Sequence, residues 1–134
     1  MQDQRDDMLK TFGSYSLAFN TLEPVKVEPF FHSPSMLMTS EQVVVMNKPE
    51  EILGVFKVLM GSLKLKNYKE SKIIGELKAT QLSDSQGLVS GTAKRFDNDK
   101  QEIEHFGFTY TLRKVENKWK IIGGVIHDPE TLDK

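Results

Sequence analysis

The sequence predicts an α+β domain in which helices pack on one face of an antiparallel sheet. Two patterns predict this class. Apolar residues recur at helical spacing in the first half of the chain, and they alternate at strand spacing in the second half. Turn sequences also divide the second half into long strands, and short turns join strands only as antiparallel neighbours.

The composition is that of one globular domain, which we expect to span residues 1–134. Hydrophobic residues make up 38% of the chain, and the formal net charge is −1, which does not favour nucleic acid or an anionic membrane as a partner. The absence of cysteine excludes disulfides and thiolate metal sites. The N-terminus is polar, and no apolar run approaches the roughly 20 residues that span a bilayer, so we expect a cytoplasmic protein.

Two helices are predicted near the N-terminus. The first carries an apolar stripe at intervals of four, three and four residues: Met8, Phe12, Tyr15 and Phe19. A short second helix is predicted over residues 22–28, because Pro24 fits the first turn of a helix and Pro29 must end it.

A third helix is predicted after two short β-prone runs, 35–39 and 42–46. Asn47 offers a capping side chain at its start, and Pro49 suits its first turn. The helix presents its own apolar stripe: Ile52, Phe56, Leu59 and Leu63.

Three polar turns punctuate the rest of the chain: Asp84-Ser85-Gln86-Gly87, Asp97-Asn98-Asp99-Lys100 and Glu116-Asn117-Lys118. They separate four predicted strands, over residues 71–82, 88–96, 102–115 and 118–127.

The third long strand places an acid on an aromatic face. Because side chains alternate across a strand, its even-numbered residues share the face that must look into the core: Glu104, Phe106, Phe108, Tyr110 and Leu112. Burial of Glu104 there would favour a neutral acid that donates a hydrogen bond. In the alternative interpretation, Glu104 lies at the end of the strand and reaches solvent.

The last strand is apolar on both faces. Strict alternation groups five residues on one face: Trp119, Ile121, Gly123, Val125 and His127. His127 is then expected at the mouth of a cavity. Ile122 and Ile126 fall on the other face, which favours a homodimer through the sheet face. Gly123-Gly124 indicates a bulge or bend, as a sheet wrapped around a cavity requires.

The order of the elements resembles the nuclear transport factor 2-like superfamily, which includes ketosteroid isomerases and SnoaL-like polyketide cyclases. Two stretches carry the resemblance: Phe30-Phe31-His32-Ser33-Pro34 and Trp119-Lys120-Ile121-Ile122. The resemblance covers nearly the whole chain. It implies a cone-shaped, cystatin-like roll, in which three helices pack on a strongly bent antiparallel sheet, and commonly a dimer.

Two further stretches are similar to the ketosteroid isomerases in particular: Ser14-Tyr15-Ser16-Leu17-Ala18-Phe19-Asn20 and Ile103-Glu104-His105-Phe106-Gly107-Phe108. Tyr15 takes the position of their oxyanion-hole tyrosine, and Glu104 that of their second oxyanion-hole acid. The resemblance therefore implies Tyr15 and Glu104 as the catalytic residues, if the protein is an enzyme.

The third catalytic position departs from those enzymes. Continuation from Tyr15 without gaps places Thr39 where they carry an aspartate base. A threonine hydroxyl cannot accept a proton from carbon near neutral pH, because its conjugate acid is far too strong. Glu41 and His32 are conceivable substitutes, but neither matches the family pattern.

We expect a pocket for a small apolar or polycyclic molecule, whose polar end binds Tyr15 and Glu104. If it is catalytic, an isomerase, cyclase or dehydratase is indicated. The other predicted ligand-binding residues are Thr39, Phe56, Met60, Phe106, Phe108, Trp119 and His127. No metal and no cofactor are expected, because the three histidines match no ligand spacing. The alternative is a ligand-free, non-catalytic homodimer that serves as an interaction module.

Overall fold

The computed structural model describes residues 2–129. The elements in this range are α1 (Arg5–Phe19), α2 (Pro24–Val27) with a 3₁₀ turn (Glu28–Phe30), β1 (Phe31–Met38), β2 (Val43–Met46), α3 (Pro49–Leu65), β3 (Tyr68–Ser83), β4 (Gln86–Asp97), β5 (Glu102–Val115) and β6 (Lys118–His127). None of these helices, within the described range, is long and apolar enough to cross a bilayer.

The strands form one six-stranded sheet in the order β2-β1-β6-β5-β4-β3. The four long strands make the predicted antiparallel meander, and β1 and β2 form a hairpin at one edge. The sheet is mixed rather than wholly antiparallel, because β1 runs parallel to β6. This pairing joins β1 to β6, which lies about 80 residues later in the chain, and no local turn signal encodes such a long-range contact.

Both long helices bury the predicted stripes. In α1 the buried residues are Met8, Phe12, Tyr15 and Phe19. Phe12 stacks on Phe108 of β5 with ring centroids 4.9 Å apart, which fixes α1 against the inner face of the sheet. In α3 the buried residues are Ile52, Phe56, Met60 and Leu63, while Leu59 is only partly buried. Each large apolar side chain buried in this way stabilises the fold by about 1.5–3 kcal/mol.

The start of α3 differs from the prediction in its capping contact. Pro49 occupies the first turn as expected, but the N-cap is Lys48, which makes no side-chain capping bond. The backbone N–H of Asn47 instead donates to the Glu51 carboxylate at 2.7 Å. The acid of the first turn therefore holds the incoming chain, and it also lies favourably at the positive end of the helix dipole.

A bulge in β6 changes which face its residues occupy. Leu112 of β5 pairs with Ile121, but its neighbour Thr111 pairs with Gly123, so Ile122 is an extra residue without a direct partner. Trp119 and Ile121 keep the inner face. Beyond the bulge the alternation is inverted, and Ile126 returns to the inner face opposite Phe108. The sequence predicted a bulge or bend at Gly123-Gly124, one residue later than the structure has it.

Candidate functional site

An interior cavity of about 600 Å³ lies between the helices and the inner face of the sheet and opens to solvent beside the exposed residues Gly54 and Val58. That volume is within the range of about 300–1,000 Å³ that small-molecule sites occupy. Its walls are mostly apolar and come from α1, α3, the β1–β2 hairpin and β4–β6: Tyr15, Phe19, Leu37, Met38, Thr39, Gln42, Val44, Gly54, Val55, Phe56, Val58, Leu59, Ser62, Arg95, Glu104, Tyr110 and Ile126. The few polar groups of this wall can orient a ligand.

A buried pair of tyrosines forms part of the cavity wall. Tyr15 of α1 and Tyr110 of β5 pack together with ring centroids 5.8 Å apart, and each hydroxyl influences the pKa of the other. Burial raises the pKa of Tyr15 well above its usual range, and it also raises that of Tyr110. Both phenols are therefore neutral at physiological pH and remain able to act as hydrogen-bond donors.

Aromatic neighbours hold Tyr15 in place. Its ring lies 5.6 Å from Phe31 and 5.8 Å from Phe12, in tilted or edge-on arrangements. Such contacts stabilise a pair by about 0.5–1.5 kcal/mol beyond the burial itself. Tyr15 is thus both a core residue and a cavity residue.

Arg95 is the one cationic side chain among the described residues that line the cavity. It was not among the site residues that the sequence predicted. Its guanidinium carbon lies 4.7 Å from the ring centroid of Phe106 and 5.2 Å from that of Phe19. The side chain is only 12% exposed. Its Nε atom is buried and has no hydrogen-bond partner among residues 2–129. The aromatic faces hold the guanidinium by cation–π attraction but supply no acceptor.

The alternating sequence of β4 predicts that the Arg95 side chain points inward. The inward-facing residues before it are small or apolar: Gly87, Val89, Gly91 and Ala93. Arg95 continues the same parity and therefore points to the same side. Gly91 illustrates how tightly this side is packed, since a Cβ there would meet a Phe108 ring carbon at 3.0 Å.

Glu104 lies beside Arg95 and is not an isolated buried acid. The two residues are direct partners in the β4–β5 ladder, and Arg95 Nη1 lies 3.6 Å from Glu104 Oε1. Lys66 Nζ lies 4.0 Å from the same oxygen. The carboxylate thus has two cations beside it and is 37% exposed, whereas the sequence placed it on an aromatic face without a charge partner.

The structure brings four of the predicted site residues to the interior cavity: Tyr15, Thr39, Phe56 and Glu104. Phe106 and Phe108 instead line a smaller hollow of about 60 Å³, which shares Arg95 with the cavity. Met60 is fully buried in the core, on the same stripe of α3 as Ile52 and Phe56, and it lines neither space.

Two predicted ligand residues lie away from the cavity. Trp119 lines a separate depression beside Lys10 of α1. His127 lies on the outer face, where its ring packs over Gly107 and its Nε2 lies 3.0 Å from the Thr109 hydroxyl. Strict alternation placed His127 with Trp119, and that prediction was wrong because the β6 bulge inverts the faces between them.

Glu41 and His32, the conceivable substitutes for the missing aspartate base, are not among the described residues that line the cavity. The Thr39 hydroxyl accepts hydrogen bonds from the backbone N–H groups of Glu41 and Gln42, at 3.2 and 3.3 Å, and so stabilises the β1–β2 turn. The His32 ring contacts the Pro34 carbonyl oxygen and the Arg113 side chain, both at 2.9 Å. Glu104 is therefore the carboxylate that the structure offers to a ligand among residues 2–129.

A comparison with family models matches residues 5–129 to a family described as NTF2-like protein (DUF6841). No curated protein matches the sequence. Many solved structures share the fold.

Three of these solved structures illustrate the likeness. A putative calcium/calmodulin dependent protein kinase II association domain from Xanthomonas campestris is 20% identical, with a TM-score of 0.72 over 98% of this chain and 91% of that one. An NTF-2 like protein of unknown function from Shewanella oneidensis MR-1 is 18% identical, with a TM-score of 0.73 over 92% and 98%. A ketosteroid isomerase-like protein from Erwinia carotovora atroseptica is 14% identical, with a TM-score of 0.70 over 95% and 97%. At these identities the likeness shows the fold alone.

Proposed function

The chain belongs to the NTF2-like family DUF6841, and from that membership we propose that its interior cavity binds a small apolar molecule. One observation carries the proposal: a space of about 600 Å³ with mostly apolar walls converges on a few polar groups. Binding sites for small molecules have this combination of apolar walls and few orienting groups.

The size of the cavity favours this function over a ligand-free interaction module. A module of that kind has no use for an interior space and would gain stability from filling it, because each unfilled volume forfeits packing contacts. Leu37, Val44 and Ile126 leave the space open although all three side chains reach its wall.

We propose binding rather than proton abstraction from carbon as the activity. An isomerase of the kind that the sequence resembles needs a free base near the ligand. Thr39 occupies that position and is engaged in a turn. Glu104 lies 3.6 Å from Arg95 and is therefore engaged with a cation instead of standing free beside the ligand.

A blocked cavity tests the proposal. Gly54 lies on the cavity wall, and a Cβ added to it meets nothing within 4 Å. Gly54 is exposed at the mouth of this space, so a leucine there would narrow the opening, and leucine is a better helix former than glycine. Gly61 lies on the same helix with equally open surroundings but outside the cavity wall, so Gly61→Leu is the matched control.

The probe is N-phenyl-1-naphthylamine, a neutral apolar dye whose fluorescence rises in apolar surroundings. We expect saturable binding to the wild type, at least about tenfold weaker binding to Gly54→Leu, and unchanged binding to Gly61→Leu. Equal binding by the two variants, or no saturable binding by the wild type, would refute the function.

We also propose that the outer face of the sheet pairs with a second copy of the chain. Val43 and Val45 are 55% and 57% exposed. They alternate with the cavity-lining Val44 and therefore face outward. Ile126, one of the two residues that suggested this dimer, lines the cavity instead, so the outer valines replace it as support for the proposal.

A further inference from the structure

We propose that the ligand of the interior cavity is a monocarboxylic acid with an apolar body, and that its carboxylate binds between Arg95 and the Tyr15–Tyr110 pair. This inference rests on the proposed function, because it requires a cavity that admits a ligand. It adds the chemical class of that ligand, which apolar walls alone do not define.

Arg95 has more hydrogen-bond donors than its surroundings accept. A guanidinium carries five N–H groups in a planar fork that matches a carboxylate. The Nε atom is buried without a partner among residues 2–129. The contact from Nη1 to Glu104 is 3.6 Å, longer than the roughly 2.7–3.2 Å of an N–H···O hydrogen bond. An anionic oxygen beside Arg95 would supply the missing acceptor.

The tyrosine pair has at least one donor to spare. A hydrogen bond between the two hydroxyls would use only one of their two protons, whichever of them donates. Neither Tyr15 nor Tyr110 has another hydrogen-bond partner within the described range. Arg95 is close enough for its charge to lower the pKa of both phenols, although burial outweighs this effect. Donors from three side chains therefore converge on one end of the cavity.

Glu104 can yield its place beside Arg95 to the ligand. Its side chain is 37% exposed, and it retains Lys66 at 4.0 Å as a second partner. A ligand carboxylate that takes over Arg95 replaces one negative charge by another. The exchange therefore leaves no uncompensated charge in the cavity, and Glu104 turns toward Lys66 and water.

A monoanion fits this end of the cavity better than a phosphate. Arg95 is the one cation of the described cavity wall, and Lys66 outside it already faces Glu104. A phosphate group near its dianionic state would hold a second charge against apolar walls, which carries a high desolvation cost. A cationic ligand is disfavoured by Arg95 itself.

Matched acid and amide probes test the inference. We would measure the binding of 2-naphthylacetic acid and 2-naphthylacetamide by calorimetry, with octanoic acid and octanamide as a second pair. We expect each acid to bind at least about tenfold more tightly than its amide. Arg95→Met, which keeps an unbranched chain against Phe19 and Phe106, should remove this preference by weakening the acids far more than the amides.

Glu104→Gln keeps the test decisive if Arg95→Met does not fold. The variant removes the competing carboxylate, so the acids should gain several-fold in affinity relative to the amides. A purely structural role for Glu104 would shift both probes together. Equal binding of acid and amide to the wild type would overturn the inference and leave the cavity function intact. If neither acids nor amides bind, both proposals fail.

Discussion

Arg95 and Glu104 are direct cross-strand partners where β4 ends and β5 begins, and Arg95 Nη1 lies 3.6 Å from Glu104 Oε1. The pair is asymmetric, because the Arg95 side chain is 12% exposed and the Glu104 side chain 37%. The cation is fixed between aromatic rings, while the anion is free to move toward solvent. This asymmetry makes Arg95 the fixed element of the site and Glu104 the exchangeable one.

The exposure of Glu104 predicts a small effect on stability. We expect Glu104→Gln to lower the free energy of unfolding by no more than about 1 kcal/mol, as for other solvent-screened ion pairs. Glu102→Gln is the matched control. Glu102 lies on β5, as Glu104 does, its side chain is 45% exposed, and it forms an ion pair at 3.1 Å with Lys94 of β4. Urea denaturation measures both. A loss of about 3 kcal/mol or more for Glu104→Gln would indicate a desolvated pair instead.

The tyrosines predict an alkaline transition. The chain has three tyrosines, and burial raises the pKa of each: Tyr15, Tyr68 and Tyr110. A group whose pKa is higher in the folded state than in the unfolded state stabilises the fold fully below the unfolded value, about 10 for tyrosine. That stabilisation is lost as the pH rises through the folded value.

The ultraviolet absorbance of tyrosinate reports this transition. In the chain unfolded in urea, the tyrosines should ionise with a midpoint at about pH 10. In the native protein, their ionisation should require a higher pH. Thermal unfolding temperatures should fall as the pH rises above about 10. A native tyrosine that titrates like a free one would contradict the burial of the pair.

Two adjacent glycines in β6 predict opposite responses to alanine. A Cβ on Gly124 would lie 2.9 Å from a Leu37 methyl and 3.2 Å from the Tyr110 ring, whereas one on Gly123 would meet only Thr111, at 3.9 Å. We expect Gly124→Ala to destabilise the fold by about 1–3 kcal/mol through overpacking. Gly123→Ala should cost much less. Chemical denaturation compares them, and equal losses would contradict the inner position of Gly124.

Asn20 links the end of α1 to β3. Its Oδ1 accepts hydrogen bonds from the Tyr68 hydroxyl at 2.6 Å and from the Ser71 backbone N–H at 2.9 Å. Asn20→Ala leaves these partly buried donors without this acceptor, so we expect a loss of about 1–3 kcal/mol. Thr21→Ala, which removes an exposed hydroxyl bonded within its own turn, is the control and should cost less. Similar losses would show that the link is unimportant.

The proposed dimer makes a prediction about size in solution. Val45→Lys places a charge in the outward face and should convert a dimer to a monomer in sedimentation velocity experiments. Leu17→Lys is the control, because Leu17 is 73% exposed on α1, away from the sheet. A wild-type protein that sediments as a monomer at all concentrations would exclude the dimer.

The sequence determined the local elements of this protein. The stripe of α1 and the alternation of β5 were predicted correctly, and with them the inward direction of Tyr15. Glu104 lines the cavity and is also 37% exposed, so it has features of both interpretations that the sequence left open. These features follow from periods of 3.6 and two residues, which the side chains of a single segment carry by themselves. Turn chemistry was equally local: Glu116 and Asn117 both adopt positive φ angles in the hairpin that joins β5 to β6.

Tertiary structure decided what one segment cannot encode. The bulge at Ile122 is fixed by pairing with β5, and it moved His127 to the outer face and Ile126 to the cavity. The ion pair of Arg95 and Glu104 depends on the register between two strands. The cavity itself is enclosed jointly by α1, α3, the β1–β2 hairpin and β4–β6. An empty volume is a relation among distant elements, so no single stretch of sequence carries it.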